Sequence, residues 1–404
     1  MTKKSGAARA NPPLLLGRNR ELCSPYDIDI LEHVEKYGGF YNRHTHLCRG
    51  DALAGTFLQH IGTTPLEASR LPLSVKQNLV GDYHGGVGYT EANLMSRGRA
   101  VLRRLIAYGT TRVDTNIDAT PDLPEDGLLA IHVFNKLKRE FAGRIDIRIA
   151  PTPIFGFKHD PKFKRSRWEV FEAAAAQSDY LSLLPEKDDF TDENDRDGKI
   201  GFKHHIRRGI ELGCKLGKEV QFHLDQMNVP QERGTERLLE MLEGLDHPVV
   251  PGNNGEPTVW VIHMISPSAY SEERFARLVD GLLKNNVGVI ICPSAALSMR
   301  QLRSLSGPIH NSIARVLELL KLKVPVRLGT DNIADVFVPA SDGDMLTEIK
   351  MAAQATRLYN PSIWAKLACG MPLNSVDLAA VGQILHEDRK ACRGVNPGWQ
   401  AAVE

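Results

Sequence analysis

Eight short runs rich in β-branched and aromatic residues recur along this chain, separated by helical stretches. They span residues 39–46, 111–117, 145–151, 180–184, 219–223, 259–263, 287–292 and 325–331. None alternates strictly between apolar and polar residues, which is the pattern of a parallel strand buried on both faces. Between them, residues 92–108 read as a helix stopped by Gly109, residues 201–212 as one stopped by Gly213, and residues 272–284 as one leading directly into the next run. Such alternation predicts a parallel α/β architecture. Eight units between residues 39 and 356 favour a closed (β/α)8 TIM-like barrel over an open doubly wound sheet.

With 404 residues, 42% of them hydrophobic and 25% charged, the chain can bury one large catalytic core. A formal charge of +1 leaves no basic footprint for nucleic acid or an anionic membrane. No apolar run is long enough to span a bilayer. The expected partner is therefore a small-molecule substrate, with a homo-oligomer left open. Residues 1–38 read as an N-terminal tail and lead-in, because Leu14-Leu15-Leu16 is too short for a signal-peptide core. The six cysteines are scattered without a C-x-x-C pair, as expected of free thiols in a reducing cytoplasm.

Three segments break the rhythm. Residues 47–90 are too long for a strand–helix loop and are expected to cap the barrel mouth as a lid, with the glycine-rich part, 81–89, mobile. Residues 188–199 form a charged loop, and residues 357–404 a C-terminal helical extension.

Four of the eight runs end in a side chain able to bind a metal or move a proton. The first ends in His44-Thr45-His46, the fifth in His223, the sixth in His263 and the eighth in Asp331. Residues i and i+2 of a strand point to one side, so His44 and His46 can project together. With His223 and Asp331 they make a first shell suited to Zn²⁺ or Fe²⁺, at the strand ends where barrels of this kind place their active sites. An H-x-H pair alone is a weak signal, and the joint order and strand placement carry the weight. His204, His205 and His310 fall on predicted helices and read as surface residues. His84, in the glycine-rich stretch, is a candidate substrate contact.

The stretches NRHTHL (42–47), TRVDTNID (111–118), VQFHLDQ (220–226), VIHMIS (261–266) and RLGTDNIADVF (327–337) run in the order found in the amidohydrolase superfamily. The chain resembles that superfamily, and its cytosine deaminase-like branch most nearly. The resemblance implies one divalent ion, zinc before iron or manganese, held by His44, His46, His223 and Asp331. It gives Asp331 the general-base role and His263 that of an electrophile polarising the group attacked. Asp335 would contact substrate or a histidine.

Three departures qualify the resemblance. Deaminases of this branch carry a proton-shuttling glutamate three residues after the fifth-strand histidine, where this chain has Gln226. An amide can hold substrate by hydrogen bonds but cannot shuttle a proton. Neighbouring Asp225 is expected to point away from where Gln226 points. Second, the third strand ends APTPIFG (150–156), without a glutamine to read a pyrimidine edge, which leaves Phe155 as the candidate substrate contact there. Third, most or all of the flanking β-sandwich usual in this superfamily is expected to be missing.

Some superfamily members bridge two ions with a carboxylate or carbamylated lysine from strand four. Glu186 and Lys187 stand near that place, but the charged residues around them favour solvated loop charges. The expected activity is hydrolysis of an amide or cyclic amide C–N bond in a small polar substrate. Deamination of a substituted N-heterocycle is the first alternative, and a metal-dependent lyase or decarboxylase the second.

Overall fold

Strands form where the apolar runs lie: β1 (Phe40–Thr45), β2 (Thr110–Asp118), β3 (Asp146–Thr152), β4 (Leu181–Leu183), β5 (Val220–Leu224), β6 (Val259–His263), β7 (Val287–Ile291) and β8 (Val326–Leu328). The computed structural model describes residues 14–192, 194, 196–299 and 312–395. Every residue of β5, β6 and β7 is buried, which explains the absence of alternation in the sequence.

The strands pair in parallel, in chain order, as a three-stranded sheet (β1-β2-β3) and a five-stranded sheet (β4-β5-β6-β7-β8). The two sheets meet at two seams. At one, Asp179 N donates to Ile149 O at 2.7 Å, linking the middle of β3 to the approach to β4. At the other, Thr45 bridges Asp331 in parallel and Asp331 N donates to His44 O at 2.9 Å. Gly329 makes the second approach possible: a Cβ there would lie 2.7 Å from His44 Cβ and 2.8 Å from His44 N. The fold is thus mixed α/β with parallel sheets. Among the described residues no helix is long and apolar enough to cross a membrane.

Helices follow the strands, with two corrections. The helix Phe202–Leu216 runs through Gly213 and stops at Gly217, whose φ of 61° ends it. Gly213 serves packing instead, since a Cβ there would meet Val220 Cγ2 at 2.5 Å. The glycine-rich stretch 81–89 is not a loose loop. Helix Leu73–His84 and a 3-10 turn, Val87–Tyr89, occupy it, and Tyr83, His84 and Tyr89 are buried. Beyond β8 lie helices Met345–Thr356, Pro361–Ala368 and Ser375–Val395.

Candidate metal centre

His44 near the end of β1 and His46 just past it bring their ring centroids to 4.9 Å from each other. His223, penultimate in β5, brings its ring to 4.9 Å from His44, and His263 at the end of β6 lies 5.8 Å from it. Asp331 enters from the segment after β8. Its Oδ1 stands 3.4 Å from His44 Nε2 and 3.3 Å from His46 Nε2, and its Oδ2 lies 3.9 Å from His263 Nε2. His263 and Asp331 both have left-handed backbone, with φ of 80° and 59°. Non-glycine residues rarely adopt it, and such strain collects at functional sites.

The chemistry of these donors fits a cation. His44, His46, His223 and His263 are buried, yet among the described residues each has a ring nitrogen without a hydrogen-bond partner: His44 Nε2, His46 Nδ1, His223 Nε2 and His263 Nδ1. A buried polar atom left unpaired costs about 1–3 kcal/mol, so these rings call for further partners. His223 Nδ1 lies 3.3 Å from Leu183 O, and donating there frees Nε2 as an acceptor. His44 Nδ1 lies 3.1 Å from the Asn116 side-chain amide, which Tyr180 Oη holds through a 2.7 Å bond. Ligand atoms within 4.8 Å of one another form two overlapping groups, His44–His46–His223 and His44–His263–Asp331.

Electrostatics favour the ligating protonation states. Burial, helped by the charge of Arg49, pushes His46 down to about 3, and burial lowers His263 to about 4. His223 is lowered still further by burial and by the imidazoles of His44 and His46. Burial opposes ionisation of Asp331, but the imidazoles of His44, His46 and His263 around it outweigh burial and hold the carboxyl well below its usual range. Neutral imidazoles and an ionised carboxylate are the forms that bind a metal.

A chamber of about 30 Å³ adjoins His46, His223, His263, Asp331 and Gln226, walled by Leu73, Ile154, Leu184 and Phe337. A cavity of about 810 Å³ lies outside it, and Leu73, Gln77, Leu184 and Gln226 line both. Gln226 Nε2 donates to Glu186 Oε2 at 3.3 Å. Asp225 turns away, accepting from Gly234 N at 2.7 Å and Thr235 N at 2.9 Å. Phe155 lines the outer cavity.

Other expected residues are placed differently. His84 is enclosed between Asp118 (3.2 Å) and Asp122 (2.6 Å), and so holds carboxylates in place of touching substrate. Burial opposes its protonation, but the two acids outweigh it and raise its pKa. Asp335 spends its oxygens on Phe337 N, Val338 N and Asn332 Nδ2, and fixes the turn after β8. His205 is a buried residue, not a surface one: its Nδ1 bonds Asp188 at 2.7 Å and its ring lies 4.4 Å from that of Phe157. His204 is exposed, and His310 lies outside the described residues. Glu186 and Lys187 are half-buried on the outer cavity and lie outside the ligand groups. Glu186 accepts from Asp225 N at 2.9 Å, and Lys187 lines the outer cavity. Two supporting residues escaped the sequence reading. Asn116 orients His44, and Asp118 pairs with Arg49 at 2.5 Å beside the chamber. Their i, i+2 spacing at the end of β2 is the signal that singled out His44 and His46.

No family model matches the sequence. An uncharacterized protein of Haemophilus influenzae is 23% identical over 300 residues, which covers 72% of this chain and 94% of that protein. Among solved structures, 5-methylcytosine deaminase from Klebsiella pneumoniae, liganded with 5-fluorocytosine, superposes with a TM-score of 0.66 at 20% identity, over 85% of this chain and 74% of that one. The chain shares its fold with that deaminase. N-isopropylammelide isopropylaminohydrolase from Burkholderia multivorans shares it, with a TM-score of 0.58 and 18% identity over 85% of this chain and 74% of its own.

Proposed function

We propose that this chain is a metal-dependent hydrolase that cleaves a C–N bond, of the amide or cyclic amide type, in a small polar substrate. The observation that carries the reading is the cluster of four buried imidazoles, His44, His46, His223 and His263, gathered around the ionised Asp331. On this reading the two seams close residues 39–356 into one (β/α)8 barrel, with residues 47–90 over its mouth. Three imidazoles and a carboxylate from His44, His46, His223 and Asp331 match the donor preference of zinc above iron or manganese. When bound, the ion supplies Lewis acidity and lowers the pKa of a coordinated water from about 16 towards 7.

The chain's own groups do the rest. Asp331 takes the proton of the attacking water and delivers it to the leaving nitrogen as the water oxygen bonds to carbon and the C–N bond breaks. A neutral His263 donates a hydrogen bond to the carbonyl oxygen, where negative charge develops. Gln226, already tied to Glu186, orients substrate at the junction of chamber and outer cavity. Leu73, Ile154, Leu184 and Phe337 keep bulk water from the chamber, which strengthens each of these interactions.

Deamination of a substituted N-heterocycle is the second reading, favoured by the fold shared with 5-methylcytosine deaminase. Incubating the metal-loaded chain with amides, lactams and amino-heterocycles separates the two. Carboxylate and amine without free ammonia from lactams and substituted amides supports the first; ammonia from an amino-heterocycle supports the second. Turnover of neither, with metal bound, rejects both.

A further inference from the structure

The metal chamber, about 30 Å³, has room for little more than one water. The body of any substrate must therefore lie in the outer cavity of about 810 Å³, whose wall carries charge in two different states. Arg237 is paired with Asp189, Arg167 with Asp160, Arg233 with Glu236, and Lys158 with Asp197. Glu186 and Glu232 are spent on the turn after β5. Glu186 accepts from Asp225 N, and Glu232 accepts from Met227 N at 2.8 Å and from Ser266.

Two lysines stand apart from these pairs. Among the described residues Lys199 gives its ammonium to one carbonyl, Asp189 O, at 3.1 Å, and its charge also acts on Asp197. Lys187 is half-buried, and among the described residues its ammonium has no ion pair or hydrogen bond. Burial and the Lys199 charge together lower it to about 8, with Glu186 opposing. Its backbone is fixed, because Asp188 beside it accepts from Phe157 N at 2.7 Å, Ile200 N at 3.2 Å and His205. A partly buried cation without an ion pair is costly, and the charge of the second lysine adds repulsion that an anion bound by both would relieve.

We propose that Lys187 and Lys199 form an anion subsite on the outer cavity wall, which holds a carboxylate or phosphate substituent of the substrate away from the bond that breaks. This rests on the hydrolase reading for the identity of the ligand as substrate, but not for the binding itself. Titration calorimetry of the metal-loaded full chain with malonate and with inorganic phosphate tests it, and comparison of the two distinguishes carboxylate from phosphate. Lys187→Met and Lys199→Met are expected to weaken binding of at least one probe tenfold or more, while exposed Lys203→Met leaves it unchanged. Lys187→Met should also raise Tm, since it removes the unpaired charge, so a lost signal would not come from misfolding. Equal binding by wild type and both variants, or no binding of either probe to wild type, overturns the subsite. Among substrates that turn over, the acidic member of each neutral–acidic pair should show a KM at least tenfold lower, a preference lost in Lys187→Met. Probe binding that depends on both lysines, without turnover of any substrate, would uphold the subsite and count against the hydrolase reading alone.

Discussion

The floor of the site and the wall of its outer cavity are both charged, the floor buried and the wall half-buried, but they are built by different means. The floor hangs on strand ends: His44 on β1 and His46 just past it, His223 on β5, His263 on β6, and Asp331 just past β8. The wall hangs on turns, and Asp188 is its hub, taking two backbone N–H groups and His205. Strand-borne groups converge because the sheet fixes their spacing. Turn-borne groups converge only if something buried holds the turns.

The largest effect expected is on the floor. Asp331→Asn should keep the fold and lose about 10²- to 10⁴-fold in kcat, since an amide cannot take the water proton. Steady-state kinetics of the metal-loaded variant checks this, and a rate near wild type would move the base elsewhere. Asp188→Ala should separate wall from floor. It leaves three buried donors unpaired and should cost about 2–4 kcal/mol in chemical denaturation, while metal content stays as in wild type. Loss of metal along with stability would show that floor and wall are one cooperative unit.

The smallest effect concerns the back of the floor. Glu348 accepts from Ser294 N at 2.9 Å and from the Ser294 hydroxyl, at the start of helix Pro293–Ser298. Burial pushes its carboxyl up to about 8 against these bonds. The fold therefore prefers the protonated form. The stability this gives is complete below the ordinary glutamate range, near pH 4.5, and is lost as pH rises to about 8. Glu348→Gln, which cannot ionise, should gain about 1–3 kcal/mol on wild type between pH 5.5 and 8.5. An equal difference at both pH values would mean that Glu348 is not held protonated.

The same contrast explains what could be read from the sequence. β6 lies where its apolar run lay, and the floor residues were legible because strand period and strand order are written locally. The mobile loop expected at 81–89 is a helix end with two buried tyrosines, because these donate to partners distant in sequence, Tyr83 Oη to Ala52 O at 3.2 Å and Tyr89 Oη to Asp118 at 2.6 Å. Glu186, Lys187 and His205 looked solvated among charged residues. Their burial depends on Phe157, Asp225 and Ile200, contacts that only the assembled turns create.

Metal content tests the central claim most directly. Elemental analysis of the full chain, purified without added metal, should find one divalent ion per chain, and His223→Ala or His44→Ala should lose it while remaining folded by circular dichroism. No ion in wild type, or an undiminished ion in both variants, would contradict a centre built on His44, His46, His223 and Asp331.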